Sequence, residues 1–99
     1  MTTKGEILDF LARNKENFRE KFGIIKIGLF GSYAKDKQIE GSDIDLIVEF
    51  EKNTPNLFDA KKELKEYISE KFNIQVDIAR EKYLKSYYRD SILKETIYV

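Results

Sequence analysis

The sequence has no cysteine, no histidine and no tryptophan, and Pro55 is its only proline. Without cysteine there are no disulfides and no thiolate zinc sites, and without histidine there are no imidazole ligands, Cys-His dyads or Ser-His-Asp triads. Any metal held here is a hard, oxygen-liganded ion. An excess of either charge is also missing: 18 Lys plus Arg stand against 18 Asp plus Glu, for a formal net charge of zero. That balance argues against a uniformly basic nucleic-acid binder, so direct nucleic-acid binding is not expected. No long hydrophobic run occurs. The longest, Ile24 to Phe30, is interrupted by Lys26 and is far too short to span a bilayer, so no membrane association and a cytoplasmic location are expected. With 99 residues, 41% of them hydrophobic, there is material for one core, and the expectation is a single domain over residues 1–99. Such a domain works alone or borrows a partner's surface.

What is present reads as alternating helices and strands. Thr3-Lys4-Gly5-Glu6 has capping-box spacing, and Leu8, Leu11, Phe18 and Phe22 fall on one helical face, which predicts a helix from about Lys4 to Phe22 closed by Gly23. Ile24 to Phe30 reads as a central strand ending at Gly31-Ser32, and residues 33–42 have room only for a short helix and a turn. A second strand is expected from about Ser42 to Phe50, with Ile44, Leu46, Val48 and Phe50 on one face and Asp43, Asp45, Ile47 and Glu49 on the other. Thr54-Pro55 opens a helix striped by Leu57, Ala60, Leu64, Ile68 and Phe72. Ile74 to Ala79 alternates as a third strand, and a last helix is expected within Tyr83 to Ile97.

Zero net charge conceals a local field. Residues 40–51 carry Glu40, Asp43, Asp45, Glu49 and Glu51 with no Lys or Arg. In a strand, Asp43 and Asp45 point the same way with Cα atoms about 6.5–7 Å apart, close enough to converge on one cation or bridge two. Their mutual repulsion is most easily offset by a divalent ion. Ten residues separate Ser32 from Asp43. So short a connection implies antiparallel neighbouring strands, with Gly31-Ser32 beside Asp43 at one end of the sheet. Gly31 admits a phosphate to the backbone and Ser32 supplies a hydroxyl. A parallel crossover through the Pro55 helix brings Asp77 to the same face as Asp43 and Asp45. Three carboxylates can hold two Mg²⁺ ions, and a two-metal site beside a phosphate cradle implies nucleotidyl transfer to an oxygen nucleophile.

Leu29-Phe30-Gly31-Ser32-Tyr33-Ala34-Lys35, followed by Ser42-Asp43-Ile44-Asp45-Leu46-Ile47-Val48, resembles the signature of the DNA polymerase beta-type nucleotidyltransferase superfamily, and most closely its minimal nucleotidyltransferase branch. The closing Arg89 to Val99 segment and the element order resemble those small proteins too. The resemblance implies an α/β (α+β) nucleotidyltransferase fold: a mixed three-stranded sheet with helices packed on it, in the order α-β-α-β-α-β-α. It also implies Asp43, Asp45 and Asp77 as metal ligands and catalytic acids, Asp77 helping to deprotonate the acceptor, and Gly31, Ser32 and Lys35 on the nucleotide. The implied cofactor is Mg²⁺, as two ions, with ATP as substrate. The implied partner is a HEPN-type ribonuclease toxin, which members of this branch commonly neutralise by transferring AMP to one of its tyrosines. Where relatives often carry Arg-Gly after the Tyr-Ala pair, this chain has Lys35-Asp36. Lys35 keeps the charge, whereas loss of the glycine is expected to alter the turn.

The residues leave two other readings open: transfer to a small molecule, with a homo-oligomer building the pocket, and a non-catalytic antitoxin that neutralises its partner by binding. A macromolecular acceptor is favoured because 99 residues leave no room for a domain that holds template, base or drug. Lys37, Arg80 and Lys82 are further candidates for the triphosphate or acceptor. Tyr83, Tyr87, Tyr88 and Tyr98, interleaved with Lys82, Lys85 and Arg89, read either as a docking surface or as the rim of a core stripe through Leu84, Tyr88 and Ile92. Glu49 reads as solvated or structural.

Overall fold

The structure, a computed structural model, describes residues 2–99. Thr3 caps the first helix, α1 (Lys4–Arg13), its hydroxyl accepting from the Glu6 amide at 3.2 Å. The long helix expected over Lys4 to Phe22 is in fact two, with α2 spanning Lys15–Phe22. Asn14 causes the break: its side-chain amide donates to the Phe10 carbonyl at 2.9 Å, and its backbone leaves the helical region. A side chain that bonds a nearby carbonyl offers the backbone an alternative to the helical ladder. Of the expected stripe, Leu11, Phe18 and Phe22 are buried on either side of the break, while Leu8 is only partly buried and Ile7 takes the core position beside it.

Strand β1 (Ile24–Phe30) follows Gly23, and β2 (Ile44–Phe50) runs antiparallel to it. Between them lies the short helix α3 (Gly31–Ala34). Helix α4 (Leu57–Phe72) then crosses over to β3 (Val76–Arg80), which is parallel to β2. A 3₁₀ turn (Glu81–Tyr83) and helix α5 (Ser86–Glu95) follow. The last helix therefore starts and stops inside its expected range.

The sheet has four strands, not three, in the order β3-β2-β1-β4. The added strand, β4 (Ile97–Tyr98), lies antiparallel to β1 through Gly28↔Tyr98 and Leu29↔Ile97. Its physical cause is the open edge of β1, whose unpaired N–H and C=O groups need a partner. Gly28 permits the approach: a Cβ there would lie 2.6 Å from Thr96 Cγ2 and 2.9 Å from Tyr98 Cδ1. Two polar contacts hold the new strand in place. Tyr98 Oη donates to Glu81 at 3.2 Å, and Lys26 pairs with the same carboxylate at 2.9 Å.

One sheet face carries the core. Ile27, Leu29, Ile44, Leu46, Val48 and Val76 are buried there with Phe18, Leu64 and Ile68 of the helices. Each large side chain among them contributes about 1.5–3 kcal/mol through burial. The opposite face carries the register pair Asp45 and Asp77.

Candidate active site

Alternation along β2 turns Asp45 away from the core, since its neighbours Ile44 and Leu46 are both fully buried. The parallel register sets Asp77 of β3 directly beside it, and the antiparallel register sets Phe30, the last residue of β1, on its other flank. Gly31 then turns the chain from β1 into α3 with φ +76°. A Cβ at that position would overlap the Asp45 carboxylate, so glycine serves both the left-handed backbone and the close seating of the acid. Asp43 stands just before β2 and is half-buried, and Asp77 is exposed.

The sequence-predicted acids are thus gathered at one end of the sheet. Burial pushes the Asp45 carboxyl up to about 6 from the usual 3.8, and the negative charges of Asp77, Asp43 and Glu95 push in the same direction. Among the described residues no Lys or Arg pairs with Asp43, Asp45 or Asp77. The donors are the hard oxygen ligands that suit Mg²⁺. Among the described residues no three acids form a ready-made cage for one ion. Mg²⁺ does not require one, because it is usually held by one or two carboxylates plus substrate phosphates and water. The residues present fit that mode.

The folded chain holds the proton of Asp45 more tightly than the unfolded chain does. Stability from this group is therefore complete below about pH 3.8 and is lost as pH rises through about 6. In metal-free buffer, Asp45→Asn should raise Tm relative to the parent, with a difference that grows from pH 4 to pH 7 and then levels. Allowing for partial solvent screening, about 1 kcal/mol, or roughly 4–8 °C in a domain of this size, is expected by differential scanning calorimetry.

Lys35, at the end of α3, pairs with Glu95 at 3.0 Å. The next residue, Asp36, occupies the left-handed region at φ 58° and pairs with Lys4 at 2.9 Å. Aspartate tolerates this conformation better than most residues. The turn expected to suffer from loss of glycine is therefore made by Asp36 itself. Asp36→Gly should change stability by less than about 1 kcal/mol in urea denaturation, because relief of the left-handed strain offsets loss of an exposed ion pair.

Two other candidates are already engaged. Arg80 donates from Nε and Nη2 to Glu49 Oε1 at 3.2 and 3.0 Å, and Glu49 also accepts from the Lys82 amide at 3.0 Å. Glu49 is structural, and Arg80 is tied down away from the three aspartates. Lys82 places its ammonium 5.3 Å from the centre of the Tyr83 ring, and Lys37 is exposed. Leu84, between the 3₁₀ turn and α5, is only half-buried, as are Tyr88 and Ile92 of α5, while Tyr83 of the turn and Tyr87 of α5 are exposed.

A cleft of ≈ 700 Å³ adjoins the acids without enclosing them. Asp43 lines it, together with Tyr33, Ser42, Phe72, Asn73 and Gln75, whereas Asp45 and Asp77 lie outside it. The converging carboxylates, rather than the concavity, combine concentrated negative charge with a close backbone approach. Glu95 is the residue that sequence reasoning missed. Its signal lay in the strand-forming Thr96-Ile97-Tyr98-Val99 run, which returns the chain to β1 and carries Glu95 with it.

The Nucleotidyltransferase domain family matches residues 11–99, nearly the whole chain. The chain belongs to the nucleotidyltransferase family. Protein adenylyltransferase MntA of Thermococcus cleftensis is 38% identical over 99 residues, covering 100% of this chain and 98% of that one. A solved minimal nucleotidyltransferase superposes with TM-score 0.70 at 29% identity, over 91% of this chain and 93% of that one. A toxin-antitoxin crystal structure with AMP-PNP shares the fold, with TM-score 0.66 at 20% identity, over 87% of this chain and 69% of that one. The chain is an MntA-like minimal nucleotidyltransferase. Its mixed sheet and packed helices are the fold of that nucleotidyltransferase group, with β4 as the strand the sequence did not announce.

Proposed function

We propose that residues 1–99 form one cytoplasmic minimal nucleotidyltransferase domain that transfers AMP from ATP to a tyrosine hydroxyl of a partner HEPN-type toxin, and so acts as its antitoxin. The observation that carries this reading is the seating of the Asp45 carboxylate against the Gly31 turn with Asp77 directly alongside. The Gly31 turn, which we read as a phosphate cradle, meets a pair of acids there.

Asp43, Asp45 and Asp77 would hold two Mg²⁺ ions, which supply neutralisation of the triphosphate and activation of the attacking hydroxyl when bound. Gly31 presents bare backbone to the phosphates, and Ser32 and Lys35 contribute a hydroxyl and an ammonium. The acceptor oxygen forms a bond to the α-phosphorus as the α–β phosphoanhydride bond breaks, and pyrophosphate leaves. Asp77, the most exposed of the three acids, receives the acceptor's proton. The protein's part is orientation and electrostatic stabilisation, which dominate phosphoryl-group chemistry. An open site suits an acceptor delivered on another protein. MntA, similar to this chain over its whole length, carries the protein adenylyltransferase designation, which supports that choice.

Differential scanning fluorimetry tests the nucleotide part of the reading. Mg²⁺ and ATP together should raise Tm by several degrees, since ligand bound only to the native state stabilises it by mass action. A cluster of acids with a purely structural role gives no such rise.

A further inference from the structure

Lys35, which the proposed function sets on the nucleotide's phosphates, is already paired. Its Nζ lies 3.0 Å from Glu95, which closes α5, and the Glu95 side chain is 25% exposed against 47% for Lys35. Topology explains the meeting. Leu29↔Ile97 is a register pair, so two residues earlier on the returning segment the chain runs beside the Gly31 turn, where β1 gives way to α3. Glu95 thus approaches Asp45 from the β1–β4 side of the sheet while Asp77 flanks it from β3. Its charge is felt at Asp45.

This placement is puzzling on charge alone. A fourth carboxylate near three others should repel a triphosphate, and among the described residues no Lys or Arg pairs with those three. Pairing with Lys35 resolves the difficulty. The pair is close to neutral as seen from a distance, and the ammonium is fixed on a stem that would otherwise sample many rotamers. A free lysine side chain loses about 2 kcal/mol of conformational freedom when it is held in one place. If that ordering is made in the empty protein, it does not have to be made when the phosphates arrive. The more buried partner acts as the fixed point and the more exposed one as the reaching group.

We propose that Glu95 is a positioning residue, acting through Lys35, that holds the Lys35 ammonium ready for the nucleotide's phosphates. This rests on the nucleotidyltransferase reading of the site. Glu95 itself touches neither nucleotide nor acceptor. The sign of its effect separates this role from simple repulsion: a carboxylate that only repelled phosphate would, when neutralised, strengthen nucleotide binding.

The test is isothermal titration calorimetry of Mg²⁺–AMP-PNP with the parent chain, Lys35→Ala, Glu95→Gln and the double variant, each first shown by circular dichroism to be folded. Lys35→Ala should weaken binding about tenfold, the scale of one charge-assisted hydrogen bond to phosphate. Glu95→Gln should weaken it about threefold to tenfold in the parent background, and not at all in the Lys35→Ala background. That loss of additivity is the signature of a residue acting through another. Equal or tighter binding by Glu95→Gln overturns the proposal, as does equal weakening in both backgrounds, which marks a general structural role. Unchanged affinity in Lys35→Ala overturns it as well. In those cases nucleotide binding by the parent chain leaves the wider reading standing, whereas a parent chain that binds no Mg²⁺–AMP-PNP overturns both.

Discussion

Asp45→Asn should reduce nucleotidyl transfer by about a thousandfold or more while leaving the protein folded and, without metal, more stable than the parent. The catalytic loss has the scale of removing a main electrostatic stabiliser of a charged transition state. The stability gain arises because ionised Asp45 sits partly buried beside Asp77, Asp43 and Glu95, a cost reflected in a carboxyl pushed up to about 6. An amide of nearly the same shape removes that cost. Opposite signs for activity and stability are expected where a functional site concentrates like charge against the interest of the fold. Transfer assays with labelled ATP alongside metal-free melting curves measure both. A variant that loses activity and stability together would identify Asp45 as a structural acid whose loss damages the fold.

Gly31→Val should be damaging in both respects. At φ +76° a β-branched residue is strained, a cost of roughly 1–3 kcal/mol. The new Cβ would also meet the Asp45 carboxylate, so either the strand end or the acid must shift. A displacement of about 1 Å at a reacting centre costs on the order of a hundredfold in rate. Urea denaturation should show the stability loss and labelled-ATP transfer a loss of at least a hundredfold. Gly31→Ala, which adds a smaller group to the same strained backbone, should fall between the parent and valine. This contrasts with Asp36→Gly, where the left-handed residue is already non-glycine and the side chain faces solvent.

These two positions also mark what the sequence made legible. Gly31 and the alternation of Asp45 with its buried neighbours are local signals, carried by spacing and by period-two patterning, and the structure keeps them, with two corrections: β2 begins at Ile44, so Asp43 stands just outside the strand, and Gly31 is seated against Asp45 rather than Asp43. The crossover that brings Asp77 alongside Asp45 follows from the handed connectivity of parallel strands and is equally readable. What escaped depends on pairings distant in sequence. A two-residue strand has almost no pattern of its own, and β4 exists because β1 has an edge to fill, a fact visible only once the sheet is assembled. Glu95 was hidden by the same omission. The Asn14 break escaped because an apolar stripe at helical spacing continues across it. Arg80 looked available as a cation in the sequence, and only the fold shows it committed to Glu49.

The central claim is that the acids at the Gly31 turn transfer a nucleotidyl group to another protein. The most direct measurement is to incubate the chain with Mg²⁺, α-labelled ATP and the product of the adjacent gene, and to map any label by tandem mass spectrometry. The account predicts one or more AMP groups on a tyrosine of the partner, absent when Asp43→Asn or Asp45→Asn replaces the parent. Neutralisation of the partner that survives both substitutions with no label transferred, or label found only on a small molecule, would contradict it.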